Sequence, residues 1–110
     1  MCIFCKIASG QISAELLYES PTVVAFNDLE PQAPTHVLVI PKAHYENAAE
    51  AASADSTTFA ELFTVAKKIA AERGLDGYRM TFNTGASAGQ SVFHAHLHLL
   101  GGRAFAWPPG

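Results

Sequence analysis

The sequence predicts an α+β fold, with five strands in one antiparallel sheet, one long helix and one short one. Short β-branched runs bounded by Pro and Gly lie on both sides of one long amphipathic stretch, so the order is strands, helix, strands, without the strict alternation of a parallel sheet. A length of 110 residues leaves room for one domain. With 49% hydrophobic and 15% charged residues, against roughly 25% charged in an average domain, the chain can build a core and is not a disordered segment.

The first element is a short apolar turn at Ile3–Ala8, closed by Gly10. Leu16–Glu19 and Val23–Asn27 read as a hairpin, with Pro21 supplying the turn between them. Pro31, Pro34 and Pro41 bracket His36–Ile40, a run too short for a helix and too apolar for a surface loop, which predicts a central strand. Ala43–Ala54 has helix propensity but a thin apolar face, so it supplies the short helix. Ser56–Arg73 is the long one, because Phe59, Leu62, Phe63, Ala66, Ile69 and Ala70 recur at i, i+3, i+4 spacing. Asp55 or Ser56 caps its start, Glu61 lies near its positive end, Lys67, Lys68 and Arg73 lie near its negative end, and Gly74 suits the left-handed position after it. Tyr78–Thr84 and His94–Leu100 complete the strands, joined by the Gly85-to-Gly89 loop.

The net charge of −3 and the scatter of seven Lys and Arg leave no basic field for a phosphate backbone, so direct nucleic-acid binding is not expected. No apolar run approaches the roughly 20 residues of a membrane span, and Met1–Lys6 lacks the order of a signal peptide. The expectation is a cytoplasmic protein without a membrane partner. Cys2 and Cys5 stand in a C-x-x-C spacing, which in a reducing compartment suggests metal or redox chemistry before a structural disulfide.

The segment richest in chemistry is His94-Ala95-His96-Leu97-His98-Leu99-Leu100. In a strand the three imidazoles share one face while Ala95, Leu97 and Leu99 share the other. Such a ridge suits two uses. Imidazoles at i and i+2 can reach one metal ion, and a neutral imidazole can act as a nucleophile near its reference pKa of about 6.5. The small-residue loop Gly85–Ser91 beside it offers backbone N–H groups and the Ser91 hydroxyl to an anion.

Gly89-Gln90-Ser91-Val92-Phe93-His94-Ala95-His96-Leu97-His98-Leu99 resembles the signature of the histidine triad (HIT) superfamily of nucleotide hydrolases and transferases. Ile3–Ile7, Phe26-Asn27-Asp28, Pro31–Lys42 and Trp107-Pro108-Pro109-Gly110 extend the resemblance over residues 1–110 as one HIT domain, and toward the branch of nucleoside phosphoramidate hydrolases. The resemblance implies that purine nucleoside 5′-phosphoramidates are hydrolysed through a nucleotidyl-histidine at His96. It also implies an α-phosphate contact from His98, Ser91 near the leaving group, and His36 and His94 orienting the others. Asn83 and Gly89 match the phosphate-binding loop, Gln90 is a further nucleotide-binding position, and Asp28 matches the ribose acid. Phe4, Ile7, Phe26, Asn27 and Leu29, with Ile3, match the lining of the purine slot. A nucleotide-binding interaction protein with little turnover, or a dinucleoside polyphosphate hydrolase, is the alternative within the same superfamily.

Cys2, Cys5, His44 and His94 resemble the ligands of a subset of this superfamily that binds structural zinc, a closed Cys₂His₂ set. Glu30 stands where a small polar residue is common, and Asn27 where histidine can occur. The matching branch further implies a homodimer with a continuous ten-stranded sheet, in which Trp107 approaches the leaving group across the interface. Sheet edges that need pairing make such an association physically reasonable.

Overall fold

Residues 2–110 are described by a computed structural model. In chain order the elements are α1 (Ile3–Ala8), β1 (Leu16–Glu19), β2 (Val23–Asn27), β3 (Thr35–Pro41), α2 (Ala48–Ala54), α3 (Ser56–Glu72), β4 (Tyr78–Thr81) and β5 (Leu97–Gly101). The five strands form one sheet in the order β1-β2-β3-β5-β4, every neighbouring pair antiparallel. The predicted α+β class and antiparallel sheet are therefore present, with one helix more than expected.

The additional helix is α1, expected as a turn. Six residues are short for a helix, but Cys2 caps it: its sulfur accepts a hydrogen bond from the Cys5 N–H at 3.3 Å. The short helix α2 starts only at Ala48, because Asn47 caps it through Oδ1, which accepts from the Glu50 N–H at 2.9 Å. Residues 43–46 are thereby left as a loop that carries His44. Between β3 and β4 in the sheet, β5 begins at Leu97 and not at His94. The Ala95 N–H is committed to the Tyr45 carbonyl at 2.7 Å, a loop partner outside the sheet.

Strand alternation separates two clusters. Val23, Ala25, Val37, Val39, Leu97 and Leu99 face α3, which answers with Leu62, Val65, Ala66, Ile69 and Ala70. Burying each Val, Leu or Ile of this set stabilises the fold by roughly 1.5–3 kcal/mol, which secures this face as the main core. Phe59 and Phe63, expected in the same stripe, sit at its margin and are only partly buried. On the opposite face Phe4, Val24, Phe26, Leu38 and Ile40 form a smaller cluster under α1. Beside it the sheet surface is left for a site.

The long helix ends as the sequence predicts. Gly74 has φ of 66°, its N–H reaches the Ala71 carbonyl at 3.1 Å, and the Leu75 N–H reaches Ala70 at 3.0 Å, a Schellman closure that turns Leu75 back onto the core. Its start is capped by the Asp55 carboxylate, held below the usual carboxylate range by hydrogen bonds from the Thr58 hydroxyl and N–H. Glu61 lies beyond the first turn of α3, which holds no acidic residue, and its place is a different one: its carboxylate accepts from Ser20 Oγ at 2.7 Å and from the Thr22 hydroxyl, tying the β1–β2 turn to α3. Among the described residues no helix is long and apolar enough to cross a membrane.

Candidate active site

On the face away from α3, a cavity of about 900 Å³ opens between α1, the end of β2 and the segment that precedes β5. Ile3, Phe4 and Ile7 form one wall, Phe26, Asp28 and Leu29 a second, and His36, His96 and His98 the floor, with Gly89 and Ser91 at the rim. The expected three-histidine ridge is divided. His96 and His98 reach the cavity, whereas His94, fully buried and outside the strand, turns toward the cysteines.

Hydrogen bonds determine which nitrogen of each ring carries the proton. His96 Nδ1 lies 2.7 Å from the His94 carbonyl, an acceptor only, so Nδ1 carries the hydrogen and Nε2 keeps its lone pair. Burial lowers the pKa of this ring and favours that neutral form. Phe4 packs edge-on against it with centroids 5.0 Å apart. His96 is thus a neutral imidazole with a free basic nitrogen on the cavity floor.

His98 has the opposite arrangement. The Gln32 N–H donates to His36 Nδ1 at 3.0 Å, so His36 carries its hydrogen on Nε2, which lies 2.9 Å from His98 Nδ1. His98 Nδ1 accepts that hydrogen and Nε2 becomes the N–H, a buried donor with no partner among the described residues. Asp28 Oδ2 approaches His36 Nε2 at 3.3 Å, but this contact is not an ion pair. A charged imidazole needs a hydrogen on both nitrogens, and Nδ1 of His36 already faces the Gln32 N–H. Burial lowers the His36 pKa in the same sense, against the opposing pull of Asp28. Asp28, His36 and His98 stand close enough to share an ion. Three of their four ring nitrogens are engaged in this relay and the fourth, His98 Nε2, carries a hydrogen, which fits a donor aimed at an anion better than a metal ligand set.

Burial, helped by His96 and His36, pushes the His98 pKa down to about 4 from an ordinary 6.5. The sign of the linkage follows. The unfolded chain takes up the proton first, so the stability that neutral His98 contributes is complete above about pH 6.5 and is lost as pH falls through about 4. Melting temperatures measured between pH 7.5 and 4.5 should fall more steeply for the parent than for His98→Asn. Parallel curves would refute the assignment.

The Gly85-to-Ser91 loop is shaped by two left-handed glycines, Gly85 (φ 88°) and Gly89 (φ 98°), around a single 3₁₀ turn at Ala86–Ala88. Gln90 holds it from within: Oε1 accepts from the Gly85 N–H at 2.8 Å, and Nε2 donates to the Glu46 carbonyl at 2.7 Å and the Val92 carbonyl at 3.1 Å. Its side chain is committed to backbone and does not line the cavity, so the structure gives it a loop-forming place. Asn83 stands behind Gly89, its Nδ2 3.6 Å from where a Cβ would lie there. Asn27 lies at the cavity margin, but its Oδ1 accepts from Arg73 Nη2 at 3.2 Å, beside Thr35. Trp107, 84% exposed, is not part of the cavity formed by this one chain.

Next to the cavity lies a second constellation. Cys2 Sγ, Cys5 Sγ, His44 Nδ1 and His94 Nδ1 are mutually 3.1 to 3.7 Å apart. Four ligands placed about 2.0–2.3 Å from one tetrahedral centre stand roughly 3.3–3.8 Å from each other, so the set fits a Cys₂His₂ ion such as zinc. The sulfurs, 3.3 Å apart, are free thiols, since a disulfide requires about 2.05 Å. His94 Nε2 donates to the Pro41 carbonyl at 2.8 Å, which leaves Nδ1 as the lone-pair nitrogen and orients the ring as a ligand requires. Burial and the adjacent Cys2 hold the Cys5 thiol above its ordinary value.

One face of the antiparallel sheet thus carries a paired imidazole floor, a glycine-shaped loop and an apolar wall around one cavity. The HIT domain profile matches residues 9–105, and the chain belongs to the HIT family. It is 49% identical over 109 residues to an uncharacterised HIT-like protein of Synechococcus elongatus, covering 98% of this chain and 96% of that one. It is 47% identical over 111 residues to a 14 kDa zinc-binding protein of Zea mays, covering 98% and 87%. Among solved structures, a HIT family hydrolase from Legionella pneumophila superposes with a TM-score of 0.94 at 48% identity over the whole of both chains. A HIT family hydrolase from Clostridium thermocellum gives 0.89 at 40% identity, covering 96% and 93%.

Two participants escaped the sequence reading. Gln32 acts through its main-chain N–H, which no residue type announces. Arg73 meets Asn27 across 46 positions of sequence.

Proposed function

We propose that this protein is a phosphoramidase of the HIT type that hydrolyses purine nucleoside 5′-phosphoramidates. The observation that carries the reading is the pairing of opposite tautomers on one floor: a lone pair at His96 Nε2 beside an unpartnered N–H at His98 Nε2. One attacks phosphorus and the other receives its negative oxygen. His96 Nε2 forms a bond to the α-phosphorus as the bond to the amine breaks. The amine leaves with a proton supplied from solvent by way of the exposed Ser91 hydroxyl, and water then cleaves the nucleotidyl-histidine, releasing nucleotide and restoring the imidazole. On this reading Asp28 takes the ribose hydroxyls and Phe4, Ile7 and Phe26 take the base, and all four line the cavity.

Zinc held by Cys2, Cys5, His44 and His94 belongs to this reading as a structural cross-link between α1 and the segment that precedes β5. Reduced thiols agree with a cytoplasmic setting. We place the whole of residues 1–110 in one HIT domain and pair two copies through a sheet edge, so that Trp107 of one chain serves the cavity of the other.

A fluorogenic adenosine phosphoramidate provides the test. Turnover with a kcat/KM well above that for a dinucleoside polyphosphate is expected, and preference for the polyphosphate would overturn the substrate. Deletion of residues 107–110 should change selectivity among leaving amines while light scattering still reports a dimer. A monomer with unchanged selectivity would remove the shared site.

A further inference from the structure

We propose that Arg103 is a positioning residue for the candidate site, selecting the tautomer that His98 presents to the substrate by clamping the main chain at Gln32. After β5, Gly102 turns with φ of 88° so close to the loop before β3 that a Cβ there would lie 2.9 Å from Pro34 Cβ. This close approach delivers Arg103 to that loop. Its Nε–H donates to the Gln32 carbonyl at 3.0 Å and its Nη1 to the Ala104 carbonyl at 2.9 Å, while the guanidinium lies 4.2 Å from the Phe105 ring centre. The fork is held on three sides, and hydrogen bonds from a charged donor are about twice as strong as neutral ones.

Gln32 is consequently fixed at both of its backbone groups: the carbonyl by Arg103, and the N–H by His36 Nδ1 at 3.0 Å. While that N–H points at Nδ1, the only hydrogen of neutral His36 resides on Nε2 and passes to His98 Nδ1, and His98 turns an N–H into the cavity. Should the Gln32 peptide rotate away, only the Asp28 carboxylate, 3.3 Å from Nε2, still favours a hydrogen there, and a fraction of His36 carries it on Nδ1. Its Nε2 then accepts from His98 Nδ1, and His98 offers the cavity a lone pair. A lone pair repels the phosphoryl oxygen that an N–H attracts. Arg103 touches neither the substrate slot nor the histidines, and controls the site through one residue of main chain.

The inference rests on the phosphoryl reading for its effect on rate, but its structural half is measurable without substrate. In protein labelled with ¹⁵N at histidine, the parent should show His36 and His98 as single Nε2–H tautomers. Arg103→Ala, and Arg103→Met, which keeps an apolar stem over Phe105, should each bring in the Nδ1–H signals at both rings. Arg103→Lys, with one donor for the Gln32 carbonyl, should restore much of the parent pattern. With an adenosine phosphoramidate, kcat should fall about tenfold in the two donor-less variants and KM less than about twofold, as for a contact made mainly in the transition state. Imidazole nitrogens unchanged in both folded variants would overturn the proposal, as would Nδ1–H signals at His98 in the parent. A shift of tautomer in the two variants, in a protein without turnover, would uphold the Arg103 relay and count against the phosphoramidase reading.

Discussion

Replacing His96 by alanine should reduce phosphoramidate turnover by about 10⁴-fold or more while the chain remains folded, since loss of a covalent nucleophile leaves only positioning and charge stabilisation. His96 sits on the cavity floor against the edge of Phe4, away from the main core under α3, so its truncation costs a local contact and not the fold. Brief exposure of the parent to substrate followed by acid quench and peptide mass spectrometry should show a nucleotidyl adduct on the peptide bearing His96. An adduct on His98, or full turnover by His96→Ala, is the result that defeats the mechanism. His98→Ala should keep the adduct site and slow its formation, because the ring supplies a donor and not the attacking atom.

The second large effect concerns the Cys₂His₂ cluster. Protein purified without chelator should contain one zinc per chain, and removal of the ion, or Cys5→Ser, should lower the melting temperature by about 10 °C or more. The four ligands come from α1, the loop before α2 and the segment before β5; the last two are also joined by the Ala95–Tyr45 and Gln90–Glu46 hydrogen bonds, while α1 rests on the small cluster of Phe4, Val24, Phe26, Leu38 and Ile40. A cross-link there supplements the weaker of the two cores, which is why the expected shift is large. Sub-stoichiometric zinc together with an unchanged melting curve in Cys5→Ser would show two incidental buried thiols.

Much of this arrangement was legible in the sequence where side-chain period decides the outcome. The i, i+3, i+4 stripe of Ser56–Arg73 and the proline-bracketed run His36–Ile40 lie where their patterns place them, because burial on one face or on both depends on side chains alone. What stayed hidden was settled by the main chain. Ile3–Ala8 becomes a helix through a cysteine cap, and His94 leaves the strand because Ala95 bonds to Tyr45. Gln90, expected at the nucleotide, turns to three backbone groups of its own loop and its neighbour. Asn27 faces Arg73, since alternation from Val23 and Ala25 carries it to the helix side of the sheet. Hydrogen-bond partners so distant in sequence leave no periodic trace.

The two floor histidines differ in how they tolerate genetic change. The proton on His96 is placed by the carbonyl of His94, an atom that every residue type at position 94 would still possess. That of His98 depends on a side chain, His36, and on a peptide orientation held from further away. Random substitution around the cavity should therefore spare the basicity of His96 Nε2 more often than the polarity of His98 Nε2. Under the proposed mechanism, variants recovered from such a library would keep the ability to form the adduct while losing speed. Laboratory evolution toward new leaving groups or substituted phosphoryl centres has its adjustable element in the His98 relay, and its fixed one in a main-chain carbonyl that mutation does not remove.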